Sequence, residues 1–114
     1  MSQQRIDIAT LVNKVINKTD NNECEWTTTP TNGRYQLFLP HGTIEIEFNA
    51  SNVWGEEYYR LEVSDSAGVP FATFVGDNEN NDNYNLFHRL YKSIEDYFKR
   101  IQEEKFANIF EDLK

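Results

Sequence analysis

Chemistry at neutral pH has few places to start in this sequence: Cys24, His41, His88 and some spaced carboxylates. A nucleophilic thiolate needs a cation or a base beside it. Cys24 lies between Glu23 and Glu25, whose charges push a thiol pKa up, so a Cys–His dyad is disfavoured. His41 belongs to the turn Pro40-His41-Gly42, and His88 to the surface or boundary of a helix. Two histidines and one cysteine fit no zinc spacing. Asp77, Glu79, Asn81 and Asn83 carry oxygen at alternate positions, as a calcium loop does. Such a loop needs glycine sixth and glutamate twelfth, where this chain has Asp82 and His88.

Glu45 and Glu47 point the same way on one strand and could serve as acid and base, yet no apolar pocket is evident to separate their pKa values. The glycines are dispersed singly, so no phosphate-binding loop forms. No cofactor and no metal is expected, and the chain reads as non-catalytic.

The elements that would position these residues follow from periodicity. Ile8, Leu11, Val12, Val15 and Ile16 recur at helical spacing, with Ser2 or Asp7 as the N-cap and Thr19 to Asn22 as the stop. From Cys24 to Val75 the period becomes two. Trp26 and Thr28, then Tyr35, Leu37 and Leu39, then Ile44, Ile46 and Phe48, then Tyr59, Leu61 and Val63 are apolar faces of successive strands, and Val69 to Val75 is the last. Phe38 and Phe74 fall out of phase with the inward residues, so either a bulge resets the phase or rings lie among the outer carboxylates.

The stretch from Gly76 to Asn83 is expected to be a solvated loop. Leu86, Phe87, Leu90, Tyr91, Ile94, Tyr97, Phe98 and Ile101 then mark a long helix capped by Asn83 or Asn85. Phe106, Ile109, Phe110 and Leu113 form a second stripe. Its five-residue offset from Ile101 predicts a break, with the segment either folded back on the core or paired with a second copy as a homodimer. Folding back is the expectation favoured. The predicted fold is a single α+β domain over residues 1–114, an antiparallel meander of about five strands with both helices packed on one face.

Composition bounds the function. The chain has 114 residues and a net charge of −8, enough for one core. It lacks a secretory leader pattern and any apolar run of ~20 residues, so a cytoplasmic location without membrane contact is expected. Residues 20–65 hold nine acids against two bases, a net of −7. Period-two geometry sends Glu45, Glu47 and Glu62 to the outer sheet face. The expectation is a protein-interaction module of adaptor, immunity or inhibitor type that binds a basic protein surface through Glu45, Glu47, Trp54, Glu56, Glu57 and Glu62. Direct nucleic-acid binding is opposed by the charge, although mimicry of nucleic-acid phosphates is compatible with it. A small-molecule site between sheet and helix, lined by Tyr91 and Tyr97, is the other expectation.

Overall fold

The computed structural model describes residues 7–50, 57–77 and 81–114; Ser2, Trp54, Glu56 and Glu79 lie outside the described residues. Helix α1 (Ile8–Asp20) precedes strands β1 (Trp26–Thr28), β2 (Arg34–Leu39), β3 (Gly42–Ala50), β4 (Glu57–Asp65) and β5 (Pro70–Asp77), and helix α2 (Asn81–Asp112) closes the order. The strands form one antiparallel sheet in sequential order, and the helices pack on one side of it. The protein is therefore of the α+β class, as the alternating strands and flanking amphipathic helices predict.

Asp7 caps α1, its carboxylate accepting from the backbone N–H of Ala9 and Thr10. At the other end Arg100 donates to the Thr19 carbonyl at 3.0 Å and to Asn22 Oδ1 at 3.1 Å. A cation from α2 thus adds a second donor, beside the Asn22 N–H, to a terminal carbonyl of α1, where the helix dipole is negative. Asn22 turns the chain away with a φ of 57°.

Between the layers, Val12, Ile46, Leu61, Phe87, Leu90 and Ile94 are fully buried. Tyr35, Phe48, Tyr59 and Tyr91 stack as tilted rings 4.8–5.9 Å apart. Tyr91 and Tyr97, the expected lining of a ligand site, are buried in this core. Thr19, with no exposed surface, anchors a polar link: it donates to the Val15 carbonyl at 2.7 Å and accepts from Trp26 Nε1 at 2.9 Å. Cys24 Sγ lies 3.4 Å from the same hydroxyl.

Two expectations are corrected, and one left open is decided. First, α2 runs unbroken through the five-residue offset, and its last turns neither bend nor fold back on the core; every residue from Gln102 onward is exposed. Second, the expected loop is shorter, because Gly76 and Asp77 end β5 and Asn81–Asn83 begin α2. Gly76 is buried, and a Cβ there would come within 2.6 Å of the Asn83 and Tyr84 backbone, so its lack of a side chain lets the first turn of α2 rest on β5. The phase of β5, left open between a bulge and rings among the outer carboxylates, is set by a bulge. Val63 pairs with Ala72 and Ser64 with Pro70, which leaves Phe71 as the extra residue of a bulge. Phe74, opposite Leu61, then packs on the core, while Val75 and Phe71 are exposed.

Candidate functional site: the open face of the sheet

Alternation along β2, β3 and β4 directs Arg34, Gln36, Glu45, Glu47, Arg60 and Glu62 away from the helices. Register then sets who meets whom. Arg34, Glu47, Arg60 and Val75 stand in one row across four strands, and Gln36, Glu45, Glu62 and Thr73 in the next. Arg34 reaches Glu47 at 2.6 Å and Glu45 at 3.1 Å. Arg60 lies at 3.9 Å from Glu47 and 4.0 Å from Glu62. Gln36 donates to Glu45 at 2.6 Å.

The ladder changes the charge reading. Glu45 and Glu47 are only 16% and 13% exposed, and three carboxylates share two guanidiniums, leaving a net of −1 on this part of the face. The excess of −7 over residues 20–65 is therefore not concentrated here. What the sequence reading missed was the pairing itself, and the signal was available: Arg34 and Arg60 occupy outward positions by the same alternation that placed the glutamates.

Glu57 is not part of this group. It shares the phase of Tyr59, so it lies on the helix side, where Tyr84 donates to it at 3.3 Å. Burial, and secondarily this carboxylate, raise the Tyr84 pKa above its usual value.

One end of the sheet is apolar on both sides. Phe38, in a row with Thr43, Ser64 and Pro70, is 63% exposed, and the bulge residue Phe71 is 61% exposed. Leu39 and Val69 are exposed beside the same two turns. On the helix side of that end a groove of about 400 Å³ runs between Leu39, His41, Gly42, Val63 and Phe71, with Leu11 of α1 at its inner wall. Of the two alternatives for the out-of-phase rings, Phe38 takes the exposed one and Phe74 the bulge. His41 lines the groove and is exposed, as a turn residue would be.

His88 is half-buried, with its Nδ1 hydrogen-bonded to the Tyr59 hydroxyl at 2.6 Å and its ring stacked on Tyr84. Burial is the main cause that pushes the Tyr59 hydroxyl up to about 12, so the phenol keeps its proton at neutral pH and is a poor base. Among the described residues, no group of three or more His, Cys, Asp or Glu is placed to hold a metal ion. Nor is any described helix long and apolar enough to cross a membrane.

The fold and this face define a two-layer α+β protein with one side of its sheet uncovered by any described element. Comparison with known families, with curated proteins and with solved structures finds no match to this chain.

Proposed function

We propose that this chain is a non-catalytic protein-interaction module that docks through the open face of its sheet on a partner whose surface offers an apolar pocket rimmed by lysine or arginine. The observation that carries the reading is the set of Phe38, Leu39, Val69 and Phe71, all large, apolar and exposed, at one end of the sheet, where Phe38 ends the open face and Leu39 and Phe71 rim the groove beside α1. Exposed apolar surface beside a polar field is the anatomy of a binding interface. The rings would supply the affinity. The ion ladder fixes orientation, since a partner cation beside Glu45, Glu47 and Glu62 meets a face of net −1 on a chain of net −8. Phosphate mimicry is not required by this reading, because Glu45 and Glu47 are already engaged by Arg34.

A photo-crosslinking residue at Phe38 or Phe71, compared with one at Asn17 on the far helix surface, tests it in the source cell. The expected result is one basic partner captured from both sheet positions and not from Asn17. Binding of that purified partner should weaken at least about tenfold with Phe71→Ser and weaken further as salt rises. Affinity unchanged by Phe71→Ser and by Phe38→Ser removes the proposal.

A further inference from the structure

We propose that the last three turns of α2 are a self-association surface whose occupant is the same segment of a second copy, packed antiparallel across a two-fold axis. Ile101 is the last α2 residue packed on the core. Beyond it, Phe106, Ile109, Phe110 and Leu113 are 51%, 52%, 66% and 76% exposed. At about 100° per residue these four form one stripe, turned roughly a quarter to a third of the way around the helix from the face that Phe87, Leu90, Ile94 and Ile101 present to the core. The stripe thus faces neither the sheet nor α1.

Charge on either side of the stripe selects the occupant. Lys105 and Asp112 lie on one flank and Glu103 on the other, with Lys114 two residues past the last helical residue. In an antiparallel helix pair each flank meets its own counterpart. Lys105 then stands at the height of Asp112 of the second copy, and Glu103 at the height of Lys114 of the second copy. Both pairs are centred on the same point, between Asn108 and Ile109, so a single two-fold axis there satisfies all of them and their symmetry mates at once. A parallel pair instead brings Lys105 beside Phe110 and makes neither ion pair. Lys114 already sits 3.0 Å from Glu111 of its own helix, so Lys105 and Asp112 are the pair that reports register best.

Area sets the strength. The four side chains offer on the order of 400 Å² per copy, about half of what a standard interface buries on each partner. The dimer is accordingly concentration-dependent, and it leaves the open sheet face of both copies free for a separate partner.

Sedimentation of the full chain over roughly 10 µM to 1 mM reads the equilibrium. A monomer–dimer transition is expected, shifted at least about tenfold to higher concentration by Phe110→Asp. Lys105→Asp and Asp112→Lys each set like charges together and weaken the dimer by about fivefold; combined in one chain they restore it to within about twofold. Circular dichroism confirms that these exposed substitutions keep the helix. A monomer at every concentration overturns the proposal, as does a dimer that Phe110→Asp spares or that the double exchange fails to restore.

Discussion

Residues 81–101 of α2 and residues 102–112 are one continuous helix, and both carry large apolar side chains at helical spacing. In the first part Phe87, Leu90 and Ile94 have no exposed surface; in the second, Phe106, Ile109 and Phe110 are at least half exposed. Helical period records that a face is to be covered, and says nothing about what covers it. The first stripe lies over the sheet, whereas the second begins where the sheet no longer lies beneath it. The rotation between the stripes marks a change of partner, and the backbone has no reason to break there because residues 102–112 contain neither proline nor glycine.

Substitutions that treat the two parts alike should give opposite answers. Phe87→Ala should cost about 3–5 kcal/mol of unfolding free energy in a urea titration, since the cavity it leaves is walled by a packed core. Next comes alkaline pH. Burial raises the hydroxyl pKa of Tyr59 to about 12 and raises that of Tyr91, while an unfolded tyrosine titrates near 10. The folded state therefore favours the neutral phenols: their contribution is intact below pH 10 and is lost as pH climbs towards 12. Unfolding free energy measured across that window should fall, and fall less steeply in Tyr59→Phe. Residues 102–112 hold no tyrosine.

Smaller effects sharpen the same contrast. Trp26→Phe removes the bond to Thr19 on the covered side and should cost about 1–2 kcal/mol. Ala107→Gly should destabilise the projecting turns by about 1 kcal/mol, visible as faster amide exchange confined to that segment with the global unfolding midpoint nearly unchanged. Phe110→Ala, measured where the chain is monomeric, should alter global stability by less than about 0.5 kcal/mol. A loss approaching that of Phe87→Ala would dissolve the distinction between the two parts.

What could be read from the sequence divides along the same physical line. Ile44, Ile46 and Phe48 alternate with Glu45, Glu47 and Asn49, and one buried face is enough to fix that strand's orientation. Ile8 to Ile16 declare their helix in the same way. The phase of β5 was legible only as one of two alternatives, because a bulge at Phe71 is a property of how two strands align, and Pro70 beside Val69 does not announce its place. The ion pairs on the open face were half legible: alternation sends Arg34, Arg60 and the glutamates outward, while the register of the β2–β3 hairpin sets Arg34 against Glu47. Glu57 could have been placed correctly, for it shares the parity of Tyr59. The apolar end with Phe38 and Phe71 emerges only once two turns distant in sequence lie side by side in space.

The strictly sequential sheet also has a temporal consequence. Every strand bonds to the one synthesised just before it, so the hairpins can zip in order of emergence, each closing a short loop at small entropic expense. The first helix has to wait. Its ties to the last, Asp20 with Ser93 and Thr19 with Arg100, span 73 and 81 residues of chain. The slowest conformational search during folding is thereby assigned to the meeting of the two helices, after the meander already exists.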